Sequence, residues 1–264
     1  IKAEQTIFLC FHSFKTAPYF RPPWLWRRGD SSATPRPSQE QADLMKFATF
    51  NINGVKARID TLLTWLKDDA PDVAILQEIK SVDEAFPRDE IEALGYQVET
   101  HGQKSFNGVA LISKLPLEDI TRGLPGDPED EQARYIEATV IGKKALRICG
   151  LYLPNGNPVP GPKYDYKLAW MKRLQKRAEE LLAQEEPFFM AGDYNVIPQD
   201  EDAAKPESWR EDALALPQSR EAFRQLPALG LTEAFRVPTQ GGGHYSCPLY
   251  PSPTPRAQAQ PPYP

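Results

Sequence analysis

Short apolar runs bounded by polar and turn-forming positions recur through the middle of the chain and alternate with stretches of helical spacing. A strand opens at 45–51, and a helix over 59–67 places Leu62, Leu63 and Leu66 on one face ahead of the run 72–76, which ends in Gln77 and Glu78. Further strands are predicted at 108–113, 135–141, 145–153 and 188–192. Leu168, Met171, Leu174, Ala178, Leu181 and Leu182 recur at core spacing and predict a helix over 164–184. A second amphipathic helix is expected at 218–229. Strands outnumber long helices, which predicts an α/β sandwich with helices outside two packed sheets. No apolar run approaches the roughly 18 residues that cross a bilayer, so no membrane association is expected.

The ends of the chain break this pattern. Residues 1–44 begin with Ile1, hold Pro18, Pro22, Pro23, Pro35 and Pro37, and lack sustained periodicity, so they read as a poorly ordered extension ahead of a start at Met45. Residues 237–264 hold eight prolines and three consecutive glycines, with Val237 and Leu249 as their aliphatic anchors. Such a tail cannot offset its ordering entropy and reads as disordered. The body is therefore 45–236. It carries 24 Lys/Arg and 32 Asp/Glu, more acidic than the −5 of the whole chain. A protein that grips polyanions by bulk charge is basic, so any such binding here must come from a local cationic patch or a bound metal. The three cysteines, Cys10, Cys149 and Cys247, are odd in number and widely spaced. They suit neither a disulfide framework nor a zinc site, and a reducing, cytoplasmic setting is expected.

Polar residues collect where strands end, where functional groups tend to be presented. Asn51 and Asn53 follow the first strand, and Gln77-Glu78 follows the second. Asn-Gly at 53–54 is also an ordinary turn, and a Glu after an apolar strand is more often solvated. The run Phe188-Phe189-Met190-Ala191-Gly192-Asp193-Tyr194-Asn195 shifts the balance. Residues i and i+2 of extended backbone share a face, so the Asp193 carboxylate and the Asn195 amide would project together. A carboxylate that orients or deprotonates water, beside an amide that holds a phosphate oxygen, suits phosphodiester hydrolysis. Tyr152 and Asn155 lie in Leu151-Tyr152-Leu153-Pro154-Asn155-Gly156. Tyr152 is either a core aromatic or a donor to a phosphate. Residues 160–177 hold six Lys/Arg against Asp165, and Lys163, Tyr164 and Lys167 near the turn are candidates to meet a nucleic-acid backbone. Phe106 and Asn107 sit in a polar loop suited to shaping a groove. His101 reads as a structural loop histidine.

Taken in order, Phe50-Asn51-Ile52-Asn53-Gly54, Leu76-Gln77-Glu78-Ile79-Lys80, the segment 101–113, Tyr152-Leu153-Pro154-Asn155-Gly156 and Gly192-Asp193-Tyr194-Asn195-Val196-Ile197-Pro198 closely resemble the exonuclease III branch of the endonuclease/exonuclease/phosphatase superfamily, which includes the apurinic/apyrimidinic endonucleases. Trp209-Arg210-Glu211-Asp212-Ala213-Leu214 and residues 229–236 extend the resemblance across 45–236. It implies a four-layer αββα sandwich of two packed mixed sheets flanked by helices. It implies Mg²⁺, with Mn²⁺ as the alternative, held by Glu78 with Asn51 in support. Asp193 would activate water, Asn195 would hold the scissile phosphate, and Tyr152 would contact the phosphate or leaving oxygen. Asn53, Lys80, Phe106, Asn107, Asn155, Lys163, Tyr164 and Lys167 are the expected DNA contacts. The substrate implied is double-stranded DNA, cleaved 5′ to abasic sites or from 3′ ends, by a monomer.

After Arg236 the resemblance stops. The family continues into an aromatic strand and ends in strands bearing an Asp-His pair, and His244 after three glycines is no substitute. An incomplete C-terminal end is therefore expected, from a reading-frame change or damaged gene end, with the prefix before Met45 as translated upstream sequence. Loss of a comparable electrostatic donor costs about 10²–10³ in rate. The competing readings are a non-catalytic DNA-binding remnant and, with less support, a phospholipid or phosphoinositide phosphodiesterase.

Overall fold

The computed structural model describes residues 45–203, 205–234 and 236, with the backbone of a strand at 6–11. Apolar residues on alternate positions of the central strands feed two different cores, and this fixes the layering. Strand β3 (Val73–Gln77), entirely buried, shows it directly. Val73 and Ile75 point into the core between the sheets, while Ala74 and Leu76 point to the core beneath the first helices. Strand β5 (Val109–Ser113) repeats the division, with Val109 and Leu111 on one side and Ala110 and Ile112 on the other.

One sheet has four strands in the order β2-β3-β5-β4, where β2 is Phe47–Asn51 and β4 is Gln97–His101. Helices α1 (Ile59–Asp68) and α2 (Arg88–Glu92) cover its outer face through Leu62, Trp65, Leu66 and Ile91. The other sheet has six strands, β10-β1-β9-β8-β7-β6: Thr232–Glu233, Thr6–Phe11, Phe188–Asp193, Ala145–Tyr152, Tyr135–Ile141 and Leu117–Arg122. Its outer face is covered by α3 (Pro162–Ala183) and α4 (Pro217–Ala228) through Trp170, Met171, Leu174, Ala178, Leu181, Phe223 and Leu226. Trp170 is almost wholly enclosed, so its truncation to Ala would cost about 3–5 kcal/mol. The result is the four-layer αββα sandwich the sequence predicts.

Both sheets are mixed, and the parallel pairs set up the site. In one sheet β2 runs parallel to β3 with Asn51 beside Gln77, and in the other β8 runs parallel to β9 with Tyr152 beside Asp193. Parallel strands end on the same side, so four polar strand ends, two per sheet, gather at a single rim. The remaining pairings are antiparallel.

Within the 1–44 stretch, expected to be poorly ordered, Thr6–Phe11 instead forms β1 and pairs along the length of β9, with Thr6 opposite Asp193. The rest of that stretch and the 237–264 tail lie outside the described residues. His101, read as a loop residue, is the last residue of β4. Among the described residues no helix is long and apolar enough to cross a membrane.

Candidate active site

At the shared rim the amide nitrogen of Asn51 donates to both carboxylates: 3.0 Å to Glu78 Oε1 and 3.1 Å to Asp193 Oδ2. Asn51 is 142 residues from Asp193 in the chain, and only the packing of one sheet on the other makes them neighbours. The Tyr152 hydroxyl donates to Glu78 Oε1 at 2.7 Å. The other carboxylate oxygen, Oε2, lies 2.9 Å from the Lys80 ammonium, which also donates to Asn53 Oδ1. Asn53 N in turn donates to Asn51 Oδ1 at 3.1 Å. Asn195 N donates to Asp193 Oδ1 at 2.9 Å, and its side-chain nitrogen donates to the Leu153 carbonyl at 2.8 Å. Asn155 donates to Asn195 Oδ1 at 3.4 Å.

The backbone is bent hard to achieve this. Asn53, Glu78, Lys80, Asn107 and Asn195 all adopt positive φ, between 45° and 52°. Asn tolerates the left-handed region, but Glu and Lys do so at a cost of order 1 kcal/mol each. Strain held at the ends of rigid strands is a mark of functional positions. Gly192 meets a different demand. A Cβ there would stand 1.9 Å from the Leu151 carbonyl oxygen, at φ +150°, so only glycine lets β9 run close enough to β8 to aim Asp193 at the rim.

Burial shapes the electrostatics. Desolvation pushes the Asp193 carboxyl up to about 6 and the Glu78 charge adds to the rise, while hydrogen bonds from Asn195 and Asn51 and the Lys167 charge hold it back. The Tyr152 hydroxyl is pushed far above its ordinary range, first by burial and then by Glu78 and Asp193, which keeps it a donor. The Arg134 guanidinium lies 4.8 Å from the centre of the Tyr152 ring and donates to the Tyr152 carbonyl at 3.3 Å.

Five predicted residues, Asn51, Glu78, Tyr152, Asp193 and Asn195, thus converge, with Asn53, Lys80 and Asn155 beside them. Phe106 and Asn107 reach the same side because backbone bonds from Ile79 and Lys80 to Gly108 and Asn107 dock their loop there. Phe106 is 69% exposed. Lys163 is exposed at the start of α3. Two expected surface contacts are corrected. Tyr164 is buried with its hydroxyl 3.1 Å from Ser219 Oγ, and Lys167 has no exposed surface. Both occupy the inward face of α3, which packs beneath the 153–157 loop. Sequence reading missed Arg134, in a polar loop without periodicity. It also missed the links that hold Asn155, where Asn157 donates to Asn155 Oδ1 at 2.9 Å and to Asp212 Oδ1 at 3.0 Å. The Asn-Gly-Asn turn and the Asp212 segment were visible, but not their contact.

Among the described residues no three His, Cys, Asp or Glu side chains gather into a metal cluster. The donor set nevertheless suits a hard divalent cation. Mg²⁺ binds through one or two carboxylates with waters and substrate phosphate completing its shell, and Glu78 and the Asn51 carbonyl supply oxygen donors. The Lys80 ammonium against Glu78 already shows that this carboxylate accepts a cation.

Strand ends of two stacked sheets that deliver two carboxylates, two amides and a tyrosine to one rim define a hydrolase of the αββα sandwich class. The chain matches the "Endonuclease/Exonuclease/phosphatase family" over residues 48–258. It is 38% identical over 200 residues to exodeoxyribonuclease III of Haemophilus influenzae, covering 73% of this chain and 75% of that protein. Among solved structures, the 3′-5′ exonuclease NExo of Neisseria meningitidis is 32% identical, with TM-score 0.74 over 80% of this chain and 82% of that one. An AP endonuclease from Archaeoglobus fulgidus is 29% identical, with TM-score 0.72 over 82% of each chain. The chain belongs to the endonuclease/exonuclease/phosphatase family, in its exonuclease III branch.

Proposed function

We propose that the protein is a Mg²⁺-dependent DNA phosphodiester hydrolase of base-excision repair, incising 5′ to abasic sites and removing nucleotides from 3′ ends. The observation that carries this reading is the Asn51 amide bridging Glu78 and Asp193 from two different sheets. Glu78 and Asn51 would hold the metal, which supplies charge neutralisation at the phosphate. Asp193, raised toward neutrality yet still ionised at pH 7, takes a proton from the attacking water. The water oxygen would bond to phosphorus, the bond from phosphorus to the 3′ oxygen would break, and that oxygen would leave as a hydroxyl on taking a proton from solvent water, Asp193 giving its own proton back to solvent afterwards. The Asn195 amide would donate to a phosphate oxygen, and the Tyr152 hydroxyl, which donates to Glu78 in the free protein, would turn to the phosphate or leaving oxygen. Lys80, Asn53, Phe106, Asn107, Asn155 and Lys163 would supply a local DNA grip on an acidic body. The expected molecule is a cytoplasmic monomer.

Quench-flow or gel assay of a duplex carrying one abasic site, with Mg²⁺ or with chelator, tests the reading. Incision 5′ to the lesion that requires the metal and spares intact duplex is the expected result. A rate equal to the chelated control would refute it.

A second reading keeps DNA binding without turnover. The supporting observation is that the sole histidine among the described residues, His101, has its Nδ1 3.1 Å from the Tyr135 carbonyl, engaged with the fold. Salt-sensitive binding to abasic duplex with no incision is its signature.

A further inference from the structure

Lys167 is an anomaly for a helix residue in a cationic stretch: its side chain has no exposed surface, ranking among the largest enclosed groups of the fold. A buried ammonium is costly unless its donors are met. Here they go to two main-chain carbonyls, Asn195 at 2.6 Å and Asn155 at 3.1 Å. These carbonyls belong to different loops, one following β9 and the other following β8. The side chains of the same two residues meet on the other side of the backbone, Asn155 donating to Asn195 Oδ1. The stem of Lys167 is fitted as closely as its head. A Cβ on Gly156, at φ +91°, would stand 2.7 Å from Lys167 Cδ.

We infer that Lys167 is a positioning residue: its ammonium ties the Asn155 and Asn195 carbonyls together from beneath and thereby sets the paired amides that face the scissile phosphate. The inference rests on the phosphodiesterase reading for its consequence, but the geometry it asserts stands independently. The Asn195 oxygen is held by Asn155 and one amide hydrogen by Leu153, which leaves the second amide hydrogen for a phosphate oxygen. Loosening Lys167 lets the two loops separate and misaims that donor. Burial pulls the Lys167 ammonium down to about 7, with the Asp193 and Asp212 charges opposing the fall, so what it contributes to the site is its two carbonyl bonds.

The test compares the full chain with Lys167→Met, which keeps the stem and removes the donors, and with Gly156→Ala, which keeps the lysine and displaces it. Steady-state incision and the NMR signals of the Asn155 and Asn195 side-chain amides are read on each. The expected outcome is a fall in kcat of about 10²-fold, the scale of a misplacement of roughly 1 Å, with KM for the duplex unchanged and both amide signals shifted. A folded Lys167→Met protein with unshifted amides and unchanged kcat overturns the inference, as does a rise in KM at constant kcat, which would mark a simple DNA contact. If Lys167→Met fails to fold, Gly156→Ala decides by the same criteria. If the wild-type chain shows no metal-dependent incision, the phosphodiesterase reading fails, while the amide signals still decide whether Lys167 holds the loops.

Discussion

Asp193 is 1% exposed and shares its surroundings with Glu78, so the fold carries a cost there that chemistry repays. Its carboxyl titrates near 6 in the native state against 3.8 ordinarily. The native protein therefore holds a proton between those values that the unfolded chain has released, and stability from this group is full below about pH 3.8 and lost as pH rises through 6. Two units correspond to roughly 3 kcal/mol. With chelator present, Asp193→Asn should thus raise the denaturation midpoint at pH 7–8, and the stability difference should vanish below pH 4; with Mg²⁺ the same variant should abolish incision. Equal midpoints at neutral pH would show that burial does not strain this residue. Asp193, Asn195, Glu78 and Asn51 were legible because polar residues directly after apolar strands are conspicuous. Lys167 was misread because sequence shows its charge and its helical neighbours, whereas its enclosure depends on where the 153–157 loop crosses α3.

At the scale of elements, strands with a strong local apolar run were readable, the edge strand β2 included, and strands without one were not. β3, β5, β7, β8 and β9 lie within a residue or two of their predicted limits because each is apolar on one or both faces. β4 and β6 were missed, and both sit at sheet edges. Edge strands meet solvent and carry polar side chains, which erases their apolar signal, and the half-exposed pattern of β6 shows this. β1 lies in a stretch that shows no sustained periodicity. Its pairing with β9 is non-local, and no short-range pattern announces it. The close β8–β9 approach makes a sharp prediction at this level. Gly192→Ala drives a methyl into the Leu151 carbonyl and should cost at least about 2–3 kcal/mol by urea denaturation, with loss of incision through a displaced Asp193. A variant of native stability would mean that the strands can part without penalty.

At the scale of the whole molecule, a buried charge cluster lies behind the six-stranded sheet, away from the rim. Glu137 has no exposed surface and pairs with Arg147 at 2.8 Å and Arg177 at 2.7 Å, while the Tyr135 hydroxyl donates to it at 2.6 Å. Burial alone would raise this carboxyl, but Arg177, Tyr135 and Arg147 together hold it below its ordinary value. A depressed carboxylate stabilises the fold above its unfolded pKa and loses that contribution as pH falls through the folded one. Glu137→Gln leaves two arginines facing a neutral group and should cost about 3 kcal/mol at neutral pH. The deficit should shrink as the wild type is acidified below pH 4. A pH-independent difference would locate the loss in packing instead.

Glu78 and Asp193 are proposed to act as one centre at a rim that both sheets build. The most direct measurement is a double-mutant cycle on metal-dependent incision with Glu78→Gln, Asp193→Asn and the pair combined. One centre predicts that each single change costs about 10²–10⁴ in kcat and that the double change costs little more than the worse of the two. Losses that simply multiply would mean that the two carboxylates work independently, and the shared-centre account would be wrong.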